Sequence, residues 1–399
     1  MRALSKRALG VSPSGTMALD ARVKELKRQG ADIITFGVGE PDFDTPGHIK
    51  AKAAEAISRG FTKYTPNAGI PELREAIARK FQEENGIACQ PSQVLVSSGC
   101  KHSLYNAVQV LVDEGDEVLC PAPCWVSYKE MVRLAGGIPI LVLAGEDQGF
   151  KVAPEILEGF TTPRTKAVLL NTPGNPTGAV YSRQELEDLA SFVLERDLYV
   201  ISDEVYEKLI YGGKEHVSIA SLGPEVKKRT VTVNGVSKAF SMTGWRIGYT
   251  TAEPGIIKAM DSIQSQTTSC ACSISQRAAL AALEGPTEPV RDMVAEFEKR
   301  RDYMAQRLQS IPGFNLGQVP DGAFYLFPRI SELHGRRIGG RTVEDAASLA
   351  EALLEAARVA VVPGEDFGSA ENVRLSYATS MEAIAEGLDR VEEALGKED

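Results

Sequence analysis

This chain of 399 residues has no long hydrophobic run and no cysteine pattern typical of a metal site or a disulfide framework. No segment reaches the roughly 20 apolar residues of a membrane-spanning helix, and the N-terminus "MRALSKRALGVSPSGT" lacks the apolar centre of a secretory signal. The six cysteines and four histidines match no zinc-site spacing. We therefore predict a cytoplasmic protein with reduced thiols and no bound metal. An organelle transit peptide is the alternative for the basic N-terminus.

Positive charge is in deficit, because 44 lysines and arginines face 54 aspartates and glutamates, for a formal net charge of −10. A surface of this sign repels nucleic acid and anionic membranes. The hydrophobic share of 43% is ordinary for a folded globular chain, and the length exceeds what one hydrophobic core usually spans. The composition thus favours a small-molecule partner and roughly two or three domains.

Strand-like and helix-like segments alternate through the middle of the chain. The apolar runs are typical of strands that are buried on both faces: "QVLVSSG", "DEVLCPAP", "IPILVL", "KAVLLNTP", "LYVISDE" and "RTVTVNG". Helical patterns lie between them, and Ser182 with Glu185 predicts a capping box at the start of one. The alternation predicts an α/β fold with a mostly parallel sheet covered on both faces.

A different pattern follows the long charged helix predicted at "VRDMVAEFEKRRDYMAQRLQSI", where short strands mix with helices. We predict a large α/β domain at residues 46–290 and a smaller α+β domain formed by residues 1–45 and 291–399. Within the N-terminal part, "SPSGTMALDARVKELKRQG" predicts a helix that Ser14 or Thr16 caps and Gly30 ends.

Polar segments follow the predicted strands, where ligands of open parallel sheets bind. They are "SSGCKHS", "NTPGNPTG", "SDEVY" and "NGVSKAFSMTGWR". The "SSGC" turn opens a predicted helix and so offers free backbone amides to a phosphate. The chain has no P-loop, and "FGVGEPD" lacks the third glycine of a dinucleotide-binding GxGxxG.

Lys238 in the last of these segments is a candidate nucleophile. A lysine can attack an aldehyde when its pKa falls from about 10.4 toward neutrality, and burial beside Arg246 would lower it. Taken alone, Lys238 fits a solvated surface lysine better, since most lysines are of that kind. A cofactor that carries both a phosphate and an aldehyde would use the "SSGC" turn and Lys238 together.

The chain is similar to a known family through an ordered set of motifs: "GEPDFDTP", "KYTPNAGIPELREAIA", "APCWVSY", "NTPGNPTG", "SDEVY", "SKAFSMTGWRIGY" and "VRLSYATS". Along nearly its whole length it resembles the pyridoxal-phosphate-dependent aminotransferases of class I, and among them the bacterial aspartate aminotransferases of the beta subgroup. The resemblance implies fold type I, with a large α/β domain and a smaller α+β domain. It also implies a homodimer with shared active sites that moves the amino group of L-aspartate to 2-oxoglutarate.

The resemblance implies a role for each residue that would contact pyridoxal 5'-phosphate. Lys238 would hold it as a Schiff base and move the substrate proton, and Asp203 would face the pyridine nitrogen. Asn175 and Tyr206 would hydrogen-bond the phenolic oxygen, while Trp125 stacks on the ring. The implied phosphate ligands are Gly99, Cys100, Lys101, Ser237, Arg246 and, from a second subunit, Tyr64.

The resemblance also implies the substrate contacts. Arg374 would bind the α-carboxylate with both arms of its guanidinium, and its implied neighbours are Gly39, Trp125 and Asn175. Lys101 and Thr16, with Ser14 beside them, would bind the distal carboxylate of aspartate. Ser12 stands where relatives that also use prephenate carry a basic residue, so this departure puts prephenate activity in doubt.

Alternatives remain open at this stage for the function and for single residues. The same fold supports lysis or decarboxylation chemistry, transamination of prephenate, aromatic or branched substrates, and a ligand-sensing domain without catalysis. Single residues also have structural explanations: Asp203, Ser14 and Thr16 as helix caps, Trp125 as core, Arg374 in a surface ion pair, and Tyr64 in local packing.

Overall fold

A computed structural model of the chain describes residues 3–13 and 15–397. Its helices α1 to α14 are Lys6–Leu9, Gly15–Arg28, Gly47–Ser58, Pro71–Asn85, Cys100–Leu111, Ser127–Leu134, Pro154–Glu158, Arg183–Glu195, Pro224–Arg229, Pro254–Thr267, Ser273–Glu284, Glu288–Ser310, Ala346–Ala352 and Met381–Gly396. Its strands β1 to β14 are Ile34–Thr35, Val94–Ser97, Glu117–Ala122, Ile138–Leu143, Thr165–Asn171, Tyr199–Asp203, Thr230–Gly235, Gly248–Thr251, Tyr325–Leu326, Arg337–Ile338, Arg341–Thr342, Val359–Ala360, Val362–Pro363 and Val373–Ser376.

The largest sheet has seven strands in the order β2-β8-β7-β6-β5-β3-β4. The pairs β3/β4, β3/β5, β5/β6 and β6/β7 are parallel, and β8 runs antiparallel to both of its neighbours. The predicted mostly parallel sheet is therefore confirmed. Since β5, β6 and β7 run in the same direction, the polar segments that follow them meet at one edge of the sheet.

Side chains of the central strands alternate between two apolar layers, as the strand period of two requires. In β5, Ala167 and Leu169 pack into one cluster while Val168 and Leu170 pack into another on the opposite face. Helices cover both faces, and their ends match the sequence signals. For example, Ser182 and Glu185 form the predicted capping box of α8, which satisfies amides that the first turn leaves unpaired.

A smaller antiparallel sheet, β13-β14-β9, stands beside the large one, and β1 pairs in parallel with β12. Helix α2 packs on this part through Val23, which is buried with Leu354 and Ala360. Thr16 is the second residue of α2, so it does not occupy the cap position that one of the two sequence interpretations gave it. Ser14 lies outside the described residues.

One apolar cluster joins the two parts of the molecule. It contains Leu104 and Ile201 beside the large sheet, and Phe297 of α12 and Leu375 of β14 on the other side. The long helix predicted near residue 290 is present as α12, which runs for 23 residues. The domain boundaries at residues 46 and 291 stay a prediction. None of the helices in residues 3–13 and 15–397 has the length and apolar character needed to cross a membrane.

Candidate active site

A cavity of about 640 Å³ opens at the carboxyl edge of the large sheet. Most of the predicted site residues line it together: Thr16, Gly39, Cys100, Lys101, Trp125, Asn175, Asp203, Tyr206, Ser237, Lys238, Arg246 and Arg374. Asp203 ends β6, and Lys238 follows β7 by three residues. Arg374 comes from β14 of the smaller sheet, so the cavity lies between the two parts of the molecule.

Lys238 extends its amine into this cavity. Burial lowers the pKa of Lys238 to about 8, with Arg374 and Arg246 acting in the same direction. The Nζ atom donates a hydrogen bond to the carbonyl of Gly39 and lies 5.7 Å from the centre of the Tyr206 ring. The amine can therefore lose its proton near neutral pH, as a nucleophile or base requires.

Asp203 is 3% exposed, and its carboxylate accepts a hydrogen bond of 2.7 Å from the Tyr128 hydroxyl. Burial raises the pKa of Asp203 to about 6, although the bonds from Tyr128 and from the Val205 amide act in the opposite direction. A cationic group placed beside this carboxylate would reverse the shift, because an opposite charge favours the ionised form. The site thus fits a ligand with a protonated ring nitrogen.

Tyr206 and Asn175 also line this cavity. The Tyr206 hydroxyl is 2.8 Å from the hydroxyl of Tyr325, and the side-chain oxygen of Asn175 accepts a bond of 3.0 Å from Arg374. The backbone amide of Asn175 donates to the side-chain oxygen of Asn171. The side-chain nitrogen of Asn171 donates in turn to the carbonyl of Asp203. These contacts hold neutral hydrogen-bonding groups in the same cavity as Lys238 and Asp203.

The turn before α5 has the shape of an anion cradle. Gly99 has a φ of +89°, and a Cβ atom at this position would lie 2.4 Å from an Arg246 nitrogen. This φ is strained for a residue with a Cβ, and the glycine lies beside the Arg246 guanidinium at the start of α5, where the helix dipole favours negative charge. Burial raises the pKa of the adjacent Cys100 thiol well above its ordinary value, so the thiol stays neutral and Cys100 can offer only its backbone amide to an anion.

Arg374 is 3% exposed and lies between the faces of two aromatic rings, 4.4 Å from the centre of Tyr325 and 5.0 Å from that of Phe367. Its two terminal nitrogens donate to Asn175 and to the carbonyl of Gly37. The Nε atom is buried with no hydrogen-bond partner among the described residues. A buried unpaired donor of this kind is costly, and a substrate carboxylate would satisfy it.

Known proteins are similar to this chain along nearly its whole length. The profile of the family described as "Aminotransferase class I and II" matches residues 31–391. The chain belongs to this family. It is 50% identical over 388 residues to the aspartate aminotransferase of Geobacillus stearothermophilus, covering 97% of this chain and 98% of that protein.

Two further relatives are also named as aminotransferases. The aspartate/prephenate aminotransferase of Cereibacter sphaeroides is 47% identical over 394 residues, covering 98% of each chain. The crystal structure of the aspartate aminotransferase from Rhizobium meliloti superposes with a TM-score of 0.95 at 42% identity, covering 99% of each chain. The predicted fold type I architecture, with its mostly parallel sheet, is thereby confirmed.

Lys101 and Thr16 line the aminotransferase cavity from the first turns of α5 and α2. The Lys101 amine lies 4.8 Å from the centre of the Trp125 ring. Partial burial and the charge of Arg246 lower its pKa. Ser12 lines a neighbouring cavity of about 560 Å³ that shares Lys101 and Arg246 with the first, and its backbone amide donates to Glu130.

Tyr64 does not line this chain's own cavity. Its side chain is 93% exposed in the segment between α3 and α4. Gly99 does not line the cavity either, but it precedes Cys100 and contacts Arg246 as described above. The role of Tyr64 in a second subunit therefore stays a proposal.

Sequence reasoning missed Tyr128 and Tyr325. Tyr128 is buried and donates its hydroxyl proton to Asp203. Its ring packs edge-to-face on Trp125, with ring centres 5.4 Å apart. Its signal is the three-residue spacing from Trp125, which places both side chains on one face of a helical turn. Tyr325 lies on β9 and meets Tyr206 from 119 positions away in the chain, and the sequence carries no signal for such a contact.

Proposed function

We propose that this chain is an aspartate aminotransferase that uses pyridoxal 5'-phosphate. It would convert L-aspartate and 2-oxoglutarate to oxaloacetate and L-glutamate in two half-reactions. The observation that carries this proposal is one cavity that holds a lysine of lowered pKa, a buried carboxyl and a buried arginine. The 50% identity to an aspartate aminotransferase supports the choice of aspartate.

The residues present fit the cofactor at each of its charged groups. Arg246, Ser237 and the amides of Cys100 and Lys101 would hold the phosphate, while the Gly99 amide, predicted with them, donates to the Ser97 carbonyl. Asp203 would pair with the ring nitrogen, and Asn175 and Tyr206 would bind the ring oxygen. Trp125 offers a ring face for stacking. When bound, the cofactor supplies a ring that takes up the electron pair left at the substrate Cα.

Lys238 carries the cofactor and the proton in this proposal. With a pKa near 8 its amine alternates between the protonated and neutral forms at physiological pH. It is therefore suited first to attach the cofactor and then, once released, to remove the proton from Cα. Its hydrogen bond to the Gly39 carbonyl shows that the amine reaches the loop that would contact the substrate.

Two separate cations would hold the two carboxylates of aspartate. Arg374 would bind the α-carboxylate through its planar guanidinium, whose buried Nε lacks a partner within the described residues. Gly39 and Asn175 lie beside it in the lining. Lys101 and Thr16 would bind the distal carboxylate at the other end of the cavity. Ser14, which the sequence interpretation placed beside them, lies outside the described residues.

We also propose a homodimer, in which the exposed Tyr64 enters the active site of a second copy and contacts the cofactor phosphate there. The near-complete exposure of so large a side chain supports a partner at this position. The division into a domain at residues 46–290 and a second at 1–45 and 291–399 is part of this proposal, since the cavity lies where the two would meet. A cytoplasmic location stays a prediction from the sequence.

A substrate panel measured in single half-reactions tests the proposed function. The holoenzyme is mixed in turn with L-aspartate, L-glutamate and an aromatic amino acid, and the aminated enzyme with 2-oxoglutarate or prephenate. We expect kcat/KM for aspartate to exceed that for the aromatic amino acid by at least about tenfold, the value of one charge-assisted contact. Equal values, or a faster reaction with prephenate than with 2-oxoglutarate, would contradict the assignment.

A further inference from the structure

Residues 65–70 connect the exposed Tyr64 to α4 and are held by side chains from two helices of the same chain. Gln264 belongs to α10 and Gln276 belongs to α11. Both glutamines are completely buried, at 0% exposure. A buried amide is costly unless its donors and acceptor are paired, so the partners of these two side chains identify what they hold.

Gln276 fixes both ends of this segment. Its side-chain oxygen accepts a hydrogen bond of 2.8 Å from the Ile70 amide. Its side-chain nitrogen donates to the Thr65 hydroxyl at 3.0 Å and to the Ala271 carbonyl at 2.8 Å. One buried side chain thus sets the distance between the residue directly after Tyr64 and the residue before α4.

Gln264 fixes the middle of the segment and ties it to the sheet. Its nitrogen donates to the carbonyls of Asn67, at 3.0 Å, and Val96, at 2.9 Å. Its oxygen accepts from the Ser97 hydroxyl at 2.8 Å and from the Asn106 side chain at 3.2 Å. Since the Ser97 carbonyl accepts a bond from the Gly99 amide, Gln264 also reaches the phosphate turn of its own chain.

The backbone of the segment packs closely on β2. The Val96 amide donates to the Ala68 carbonyl at 3.0 Å. Gly69 has a φ of +108°, and a Cβ atom there would lie 2.6 Å from a Val96 methyl group. The segment therefore has a single conformation, because both its hydrogen bonds and its steric limits specify it.

The rigid segment contrasts with Tyr64 itself, which is 93% exposed. Buried side chains that fix the backbone next to an exposed ring reduce the entropy that is lost when the ring binds a partner. We propose that Gln264 and Gln276 are positioning residues that hold Tyr64 in the orientation in which it enters the active site of a second copy. The proposal rests on the proposed homodimer with shared sites.

A double-mutant cycle on cofactor affinity tests the proposal. The variants are Gln276→Met, Tyr64→Phe and the combination, and the measured quantity is the dissociation constant of pyridoxal 5'-phosphate from the full-length enzyme. We expect Tyr64→Phe to weaken binding about tenfold, as loss of one hydrogen bond to a charged group does, and Gln276→Met to weaken it several-fold. The combined variant should match Tyr64→Phe alone, because Gln276 acts through the hydroxyl that is already missing.

A second readout does not depend on the cofactor. Hydrogen exchange at the Ile70 amide should be faster in Gln276→Met, since this amide loses its acceptor. Gln184→Met, on the exposed face of α8, is the matched control and should change neither quantity. If Gln276→Met does not fold, Thr65→Val removes only the hydroxyl that Gln276 binds, and it takes the place of Gln276→Met in the cycle.

The outcomes separate this inference from the function on which it rests. If the effects of Gln276→Met and Tyr64→Phe on the dissociation constant multiply, Gln276 acts independently of Tyr64 and the positioning proposal is overturned while the role of Tyr64 stands. If Tyr64→Phe leaves the dissociation constant unchanged, the proposed contact of Tyr64 with the cofactor is wrong, and the positioning role falls with it.

Discussion

The two ends of the cavity are built from different kinds of structure. At the inner end, Asp203, Tyr206 and Arg374 lie on or directly after strands and are at most 4% exposed. At the outer end, Lys101 is exposed and Thr16 is half-buried on α2, and the exposed Ser12 lines the neighbouring cavity. The inner end fixes groups that every substrate would use, whereas the outer end meets the part of the substrate that varies.

The charged groups at the inner end carry a desolvation cost. Burial shifts the pKa values of Lys238 and Asp203 toward neutrality from opposite directions, so each charged form is destabilised in the folded chain. Such groups persist where function requires them. The outer end is more open to water, although partial burial and the charge of Arg246 also lower the pKa of Lys101. Substitutions at the inner end should therefore affect all substrates, and those at the outer end should change substrate preference.

Lys238→Ala should have the largest effect. Removal of the amine eliminates both cofactor attachment and the base, so we expect kcat to fall by at least about 1,000-fold with every amino acid tested. The visible absorbance of the lysine-bound cofactor should also disappear. Lys166→Ala, at an exposed position of β5, is the matched control. Retention of either the absorbance or the turnover by Lys238→Ala would contradict the assignment of this lysine.

Arg374→Lys should have the next largest effect. Lysine keeps the charge but loses the planar fork, and it leaves the bonds to Asn175 and Gly37 incomplete. We expect kcat/KM to fall about 100-fold, and by a similar factor for aspartate and glutamate, which share the α-carboxylate. Arg390→Lys, in a surface ion pair with Asp32 and Glu386, serves as the control. A loss confined to one of the two substrates would show that Arg374 binds something else.

The sequence predicted the inner end better than the contacts around it. Lys238, Asp203 and Asn175 follow strands with clear apolar patterns, and the order of their motifs indicated one family. The contacts of Tyr128 and Tyr325 were missed because they depend on tertiary packing, which brings Tyr128 of α6 to Asp203 and Tyr325 of β9 to Tyr206. Gln264 and Gln276 were missed for the same reason, since a buried glutamine on a helix has no local signature.

Tyr128→Phe should have an intermediate effect and a characteristic pH dependence. Loss of the hydroxyl removes a bond that lowers the pKa of Asp203, so this pKa should rise. The ionised carboxylate would then be lost at a higher pH, which moves the acidic limb of kcat/KM upward. We expect a loss of about three- to tenfold at neutral pH. Tyr199→Phe is the control, and an unchanged acidic limb would mean that Tyr128 does not act through Asp203.

Lys101→Ala should have the smallest effect on substrates without a distal carboxylate and the largest effect on substrate preference. The amine lies over the Trp125 ring at the open end of the cavity, where solvent screens its charge. We expect kcat/KM for aspartate to fall about tenfold while the value for an aromatic amino acid changes by less than about twofold. Lys129→Ala, which lines only the neighbouring cavity, is the control. Equal losses of kcat/KM for both substrates would mean that Lys101 binds the phosphate rather than the distal carboxylate. The two ends of the cavity would then differ less in their effect on substrate preference than their exposure indicates.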